Sequence, residues 1–171
     1  MEKKLKKEVK RIIKQLKPFG LRYSVKKLIN EINEGDFNKN WIYIYYGTCE
    51  LSEDFIREFQ DKLNWGNISY CQKLSENFIR EFQHKVDWEY ISLGQKISED
   101  FVREFKYKIH WHNICRNYHL ADELSEEFFK EFRDKLDLEV LFEKKVVDEF
   151  GAFVKVKDRK PTVYEGYMYV D

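Results

Sequence analysis

The sequence predicts a mainly α-helical fold: an α-solenoid of short two-helix repeats with an N-terminal capping helix and a C-terminal β-hairpin. Three observations support this fold class. A fifteen-residue phrase occurs four times, every copy has a helix-capping serine at its second position, and the apolar residues return at helical rather than alternating spacing. A chain of 171 residues can bury one hydrophobic core, so we expect a single domain over residues 1–171.

The four copies follow one another through the middle of the chain. They read LSEDFIREFQDKLNW, LSENFIREFQHKVDW, ISEDFVREFKYKIHW and LSEEFFKEFRDKLDL. Unit 1 starts at Leu51, unit 2 at Leu74, unit 3 at Ile97 and unit 4 at Leu124, so the starts lie 23, 23 and 27 residues apart. A short fixed period is typical of stacked repeats, in which each unit buries its apolar face against its neighbours. We therefore predict four helical repeats in residues 51–145.

Each unit begins with a predicted helix A of roughly ten residues. In unit 1, Ser52 stands at the N-cap position, and Leu51 before it is placed to pack on Ile56 in the helix. Phe55, Ile56 and Phe59 fall on one helical face of about 100°. That face is the predicted core, and it recurs in every unit.

A second helix start, for helix B, lies twelve residues after the first in every unit. Asn64, Asp87 and Asp137 are good N-caps, and His110 is a poorer cap in unit 3. Tryptophan follows the cap in units 1 to 3, where its ring can wedge between helices, and unit 4 has leucine there. We predict a helix B of roughly seven residues, which needs tertiary contacts to be stable.

The segments on either side are predicted to cover the ends of the repeat stack. Residues 1–20 form a basic capping helix with one apolar stripe, which ends at KPFG. Residues 21–50 hold a degenerate repeat, in which WIYIYY favours helix over a competing strand interpretation. In residues 146–171, AFVKVK and TVYEGYMYV flank DRKP, which predicts a β-hairpin.

Charged residues recur at a spacing that favours local ion pairs. Every unit has a glutamate followed four residues later by a cation, as in Glu53–Arg57, and then a second such pair, as in Glu58–Lys62. Each pair in this order stabilises a helix by about 0.2–0.5 kcal/mol. Paired glutamates can act as acid–base catalysts. Because these recur in all units beside a local cation, we predict that they stabilise helices.

Motifs of catalysis and cofactor binding are missing from the sequence. It has no glycine-rich phosphate loop, no nucleophile elbow and no two-cysteine zinc motif, so we predict a protein that is not an enzyme and uses no cofactor. The alternative is a metal-binding protein: in HWHNICRNYH, a continuous helix would place His112, Cys115 and His119 on one side. Against this, His112 and Cys115 stand where other units have ordinary surface or small residues.

The charge is balanced overall but unevenly distributed. The chain has 31 basic and 31 acidic residues, yet residues 1–27 contain eleven Lys or Arg against two Glu. A second alternative function is therefore nucleic-acid binding through the basic N-terminal helix. It would use Lys3, Lys7, Lys10, Arg11 and Lys14. A solvated capping face is the simpler interpretation of the same residues.

Cysteine usage and hydropathy predict where the protein works. The three cysteines, Cys49, Cys71 and Cys115, follow no disulfide pattern, which favours a reducing compartment. The N-terminus has no apolar signal segment, and the longest apolar-aromatic run, WIYIYYGTC, is shorter than the ~20 residues of a membrane span. We expect a soluble cytoplasmic protein without a membrane partner.

The residues that change from unit to unit form the predicted partner-binding surface. In a repeat protein the recurring residues build the scaffold, and Tyr, His and Arg are common in interface cores. Seven variable residues meet this description: Tyr70, His84, Tyr90, Tyr107, His112, Arg116 and Tyr118. Neutral drift on a solvent-exposed face is the competing interpretation.

The repeated phrase, LSEDFIREFQDKLNW with the IS and QKLSE that follow it, resembles short repeats of about 23 residues in uncharacterised proteins of giant DNA viruses and bacteriophages. The resemblance covers about residues 51–145. It implies a viral or phage protein in the host-cell cytoplasm, with a host protein as partner. In that context we expect a non-catalytic inhibitor that blocks a host defence protein such as a CRISPR effector. No biochemical role attaches to the family, so it assigns no functional residue.

Overall fold

The computed structural model describes residues 2–20, 22–34, 50–121 and 123–143, and this part of the chain is mainly helical. It contains eleven α-helices and one 3-10 turn, with no strand among the described residues. The predicted mainly α fold is confirmed. The β-hairpin predicted in residues 146–171 and the helix predicted at WIYIYY lie outside the described residues.

Two helices precede the repeats. Helix α1 spans Glu2–Leu16 and leads into a 3-10 turn at Lys17–Phe19. The turn stops at Gly20, whose φ of 77° lies in the left-handed region that favours glycine. Helix α2 spans Val25–Glu34. A basic helix that ends at KPFG is therefore found where the sequence predicts one.

The apolar stripe of α1 packs against α2. Val9 and Ile12 are fully buried and Leu16 is nearly so, and on α2 Leu28 and Ile32 are fully buried in the same core. These contacts hold the charged side of α1 outward. The degenerate repeat predicted for residues 21–50 is described only in part, because residues 35–49 lie outside the described residues.

Each of the four units consists of a helix A and a helix B, as predicted. The helices A are α3 (Glu53–Glu58), α5 (Glu76–Glu81), α7 (Glu99–Glu104) and α10 (Glu126–Phe132). The helices B are α4 (Trp65–Cys71), α6 (Trp88–Gly94), α8 (Trp111–Arg116) and α11 (Leu138–Glu143). A short helix α9 (Tyr118–Ala121) occupies the longer connection between units 3 and 4.

Helix A is shorter than predicted. Helices α3, α5 and α7 have six residues each, because the chain tightens after them. In unit 1 the backbone N–H of Lys62 donates to the carbonyl of Phe59 at 2.8 Å, an i to i+3 bond that replaces the α-helical pattern. The same bond recurs in the other three units at 2.8–2.9 Å. The turn brings the chain round so that helix B can begin.

The helix starts are capped as predicted. In all four units the hydroxyl of the N-cap serine accepts a hydrogen bond from the third helical residue's N–H, at 3.1–3.3 Å. The side chains of Asn64, Asp87 and Asp137 accept such bonds at helix B, whereas His110 makes no side-chain cap bond. A good cap contributes about 1 kcal/mol, which matters for helices as short as these.

Aromatic rings join successive units into one hydrophobic core. One phenylalanine of each helix A is at most 2 % exposed: Phe55, Phe78, Phe101 and Phe128. In units 1 to 3 the helix-B tryptophan packs on phenylalanine of the next unit's helix A or the turn that follows it. The ring centroid of Trp65 lies 5.0 Å from that of Phe82, and Trp88 lies 4.9 Å from Phe105. The predicted wedging of tryptophan between helices is confirmed.

A column of buried amide side chains runs beside this core. Gln72, Gln95 and Asn117 end successive helices B and are at most 4 % exposed. The Nε2 group of Gln95 donates to the carbonyls of Ser69 at 2.9 Å and Gln72 at 2.7 Å, while its Oε1 accepts from the N–H of Leu74 at 3.0 Å. The side chain of Gln95 therefore satisfies carbonyl groups at the C-terminal end of α4 and, in addition, the backbone N–H that precedes α5.

A second buried polar position links each helix B to the following one. The hydroxyl of Ser69 accepts from the N–H of Asp87 at 2.9 Å, and that of Ser92 accepts from His110 at 3.0 Å. In unit 3 the sulfur of Cys115 takes the same place and accepts from the N–H of Asp137 at 3.3 Å. In units 2 to 4 the start of helix B is thus fixed by the helix B of the preceding unit.

Candidate partner-binding surface

The arginines of helix A connect neighbouring units as well as neighbouring turns. Arg80 pairs with Glu76 in its own helix at 3.3 Å and with Glu104 of the next unit at 2.8 Å. Its guanidinium carbon also lies 5.1 Å from the ring centroid of Phe101. Arg57 and Arg103 make the equivalent contacts.

The first set of predicted ion pairs is confirmed and the second set is wrong. Glu53–Arg57 and its three equivalents form at 2.7–3.7 Å. Glu58–Lys62 and its equivalents do not form in the described units, because helix A ends before the lysine. Instead Glu81, Glu104 and Glu131 bind the arginine of the unit before them at 2.7–2.8 Å. The first set of glutamates and these three members of the second set therefore contribute to the scaffold.

Helix α1 supplies to unit 1 the contact that each later unit receives from its predecessor. In units 2 to 4 the N–H of the capping serine donates to a glutamate of the preceding helix A, at 2.6–2.7 Å. In unit 1 the N–H of Ser52 donates to Glu8 of α1 at 3.1 Å. Arg11 donates to Glu8 at 2.7 Å and to the carbonyl of Glu50, and its bond lowers the pKa of Glu8. Lys4 also pairs with Asp54.

Among the seven predicted surface residues, Tyr107 is the most prominent. It stands on the turn between α7 and α8 and is 88 % exposed, the one large hydrophobic side chain of the described residues that is so open. The ammonium of Lys106 lies 5.3 Å from its ring centroid. The corresponding residues in the other units are Asp61, His84 and Asp134, so tyrosine replaces a polar residue here.

Tyr70 and Tyr90 are brought together by the packing of α4 against α6. Their ring centroids are 4.9 Å apart, and both side chains are half-buried. A Cβ added to Gly66 would lie 3.9 Å from the ring of Tyr90, so the ring also borders the first turn of α4. These two tyrosines are therefore only partly open to solvent, and they also contribute to the contact between units 1 and 2.

The remaining predicted residues lie in units 2 and 3 and in the connection that follows. His84 and Arg116 are exposed. His112 is also exposed, and its Nδ1 lies 2.7 Å from Asp137 Oδ2, so that it reaches the cap of α11. Tyr118 is half-buried, with its ring centroid 3.9 Å from that of His119. Four of the seven residues are therefore exposed, and because His112 contacts the cap of α11, the open part of the predicted surface consists of His84, Tyr107 and Arg116.

The alternative metal site is not assembled. The continuous helix on which it depends is interrupted, because α8 ends at Arg116 and the side chain of Asn117 accepts from the N–H groups of His119 and Leu120 to start α9. Cys115 is buried. The pKa of His119 is lowered, first by partial burial of its side chain and then by the charge of Lys96. Within the described part of the chain, no three His, Cys, Asp or Glu side chains are grouped to hold a metal ion.

The seven residues do not line either of two grooves formed by the described residues. One groove of about 730 Å³ lies between α1 and α3, and another of about 420 Å³ lies along α2; none of the seven residues lines either. A small ligand is usually enclosed by a concave pocket, whereas a protein partner is contacted by protruding side chains. The exposure of Tyr107 fits the second case.

The sequence interpretation missed the buried polar residues. Gln72 and Gln95 recur at a spacing of 23 residues, and so do Ser69 and Ser92. Polar residues that recur with the period of the apolar ones are the signal that could have identified them as scaffold. They leave no buried side-chain nitrogen or oxygen without a partner in the described residues.

Within residues 2–20, 22–34, 50–121 and 123–143, no helix combines the length and hydrophobicity that a membrane span requires. No protein-family model, curated protein or solved structure matches this chain.

Proposed function

We propose that this chain is a non-catalytic helical-repeat module, an α-solenoid that binds another protein through side chains that differ between its units. The observation that carries the proposal is Tyr107, which is 88 % exposed at a position where three other units have aspartate or histidine. Tyrosine is among the residues that contribute most to binding at protein interfaces. An exposed tyrosine at a turn position that is polar in the other three units supports a role as an anchor for a partner.

The division of labour between residues supports the same function. The recurring serines, glutamates and arginines are engaged in caps and ion pairs between units. His84, Tyr107 and Arg116 lie outside that network of scaffold contacts and are open to solvent. A surface that can change without disturbing the scaffold is what a repeat protein needs in order to acquire a partner.

The proposed partner is a host protein, and the proposed effect is inhibition. This part of the proposal depends on the resemblance of residues 51–145 to viral and phage repeats. A small phage protein without catalytic residues can act on a host only by occupying a surface. A defence protein such as a CRISPR effector, in the host cytoplasm, would be its target.

Affinity capture from a host-cell lysate, followed by mass spectrometry and calorimetry with the purified partner, tests the proposal. The triple variant His84→Ala/Tyr107→Ala/Arg116→Ala removes the open surface. The matched control Glu58→Ala/Lys62→Ala/Glu127→Ala removes three exposed side chains of helix A or the turn after it.

We expect the surface variant to bind at least about tenfold more weakly than the wild type, since the loss of one hot-spot anchor typically costs about 2 kcal/mol or more. The control should bind like the wild type. Equal binding by the surface variant, or equal loss in both variants, would overturn the assignment of the surface.

A further inference from the structure

We infer that the outer face of α1 binds the phosphate backbone of double-stranded nucleic acid, independently of the partner-binding surface. The inference rests on four side chains, which we call the lysine stripe: Lys3, Lys7, Lys10 and Lys14. All four are exposed. They follow one another at intervals of four, three and four residues along α1.

The helix places the stripe on a single line. At 100° and 1.5 Å per residue, the four Cα positions fall within an arc of about 60° and extend over about 16 Å. The buried residues Val9, Ile12 and Leu16 lie on the opposite side of the helix, against α2. Packing therefore orients the stripe outward and holds it on a rigid element.

The stripe makes no contribution to the fold that would explain it. None of its four lysines forms an ion pair with another described residue, whereas Lys4 pairs with Asp54 and Arg11 with Glu8 in the same helix. Lys3 and Lys7 are like charges four residues apart, as are Lys10 and Lys14, and this arrangement destabilises a helix. Repulsion of this kind is relieved when phosphates neutralise the lysines.

One residue of the set that the sequence suggests for nucleic-acid binding lies apart from the lysine stripe. Arg11 is half-buried and donates to Glu8 at 2.7 Å and to the carbonyl of Glu50. It is therefore committed to the junction between α1 and unit 1. Nucleic-acid binding falls to the lysines alone.

The surroundings of the stripe favour a duplex over a membrane or a single strand. Helices that lie on membranes insert an apolar face into the bilayer, and the apolar face of α1 is buried against α2. Binding of single strands commonly uses aromatic side chains on which bases stack, and α1 has no aromatic residue. A rigid row of lysines contacts phosphates without reading sequence.

Fluorescence anisotropy of the full chain with short labelled DNA and RNA duplexes tests the inference. We expect log K to fall linearly with log salt between about 50 and 200 mM, with a slope of about −3.6 if all four lysines neutralise phosphates. The variant Lys3→Gln/Lys7→Gln/Lys10→Gln/Lys14→Gln should lose at least about tenfold in affinity at low salt and bring the slope close to zero.

The matched control is Lys62→Gln/Lys73→Gln/Lys96→Gln/Lys130→Gln, which changes the net charge equally at four exposed lysines of the repeats. It should retain the slope of the wild type. If the quadruple stripe variant does not fold, Lys7→Gln/Lys10→Gln should show about half of the change in slope.

Three results would overturn the inference. The first is the absence of salt-dependent duplex binding by the wild type. The second is an equal loss of binding in the repeat control, which would assign the effect to net charge alone. The third is tighter binding to vesicles of phosphatidylserine and phosphatidylcholine than to either duplex, which would assign the stripe to a membrane surface.

Discussion

Two regions of this molecule use positive charge in opposite ways. In the repeats, Arg57, Arg80 and Arg103 each bind carboxylates of two successive units and cover a phenylalanine ring. In α1, the lysine stripe faces solvent without an ion pair to any described residue. The net charge does not reveal this difference, because the 31 basic residues of the chain simply balance its 31 acidic ones.

A charged residue that recurs in every unit and a run of charged residues confined to one helix therefore have different roles. A cation that recurs with the period of the core has a partner at the same place in every unit, so its role is structural. A cation confined to one helix has no such constraint and is available for a ligand. Substitutions in the two regions should therefore differ in their effects on stability.

The largest effect is expected where a polar group is both recurring and buried. Gln95→Leu leaves the carbonyls of Ser69 and Gln72 and the N–H of Leu74 without their partner. Each buried group left unpaired costs about 1–3 kcal/mol, so we expect a loss of at least about 3 kcal/mol in the free energy of unfolding. Urea denaturation followed by circular dichroism measures it.

The half-buried Gln83 provides the control for this substitution. Its amide donates to the carbonyl of Arg80 at 3.3 Å and accepts from Lys108 at 2.8 Å, at a site that water can reach. Gln83→Leu should cost no more than about 1 kcal/mol. Similar losses in the two variants would contradict a structural role for the buried amide column.

An intermediate effect is expected for the arginines between units. Arg80→Met removes the ion pairs to Glu76 and Glu104 and the contact with the ring of Phe101. Because the side chain is partly exposed, we expect a loss of about 1–2 kcal/mol. Lys10→Met in α1 should change stability by less than about 0.5 kcal/mol.

A double-mutant cycle measures directly how strongly Arg80 and Glu104 are coupled. Arg80→Met combined with Glu104→Gln should reveal a coupling of about 0.5–1 kcal/mol between units 2 and 3. Additive effects would mean that the pair does not hold the units together. The comparison between repeats and α1 would then lose its physical basis.

The sequence predicts those parts of the fold that are encoded within a few residues. Ser52 caps a helix that starts one residue later, so its role can be predicted from the neighbouring residues alone. Gln95 bonds to Ser69, 26 residues away, and this contact depends on how units pack. The role of Asn117 could not be predicted for the same reason. Its side chain caps α9, so that α8 ends before it, and the break between the two helices separates the residues of the predicted metal site. Likewise, Tyr90 is a variable residue, yet packing of α6 against α4 places it on Tyr70.

The smallest effect concerns the junction at which the two regions meet. The hydrogen bond from Arg11 lowers the pKa of Glu8, and the N–H of Ser52 adds to this against the opposing effect of partial burial. A carboxyl whose pKa is lower in the folded state than in the unfolded state stabilises the fold above its ordinary pKa. This contribution is lost as the pH falls through the lowered value.

Thermal unfolding of the wild type and of Glu8→Gln between neutral and acidic pH therefore tests whether α1 is joined to unit 1 through Glu8. At neutral pH the variant should be less stable by a few tenths of a kcal/mol, because a partly exposed pair is screened by water. The two proteins should converge as the pH falls below the lowered pKa of Glu8.

Glu58→Gln, at an exposed position, should follow the wild type across the range. A constant difference between wild type and Glu8→Gln at all pH values would show that the charge of Glu8 does not help to join α1 to unit 1.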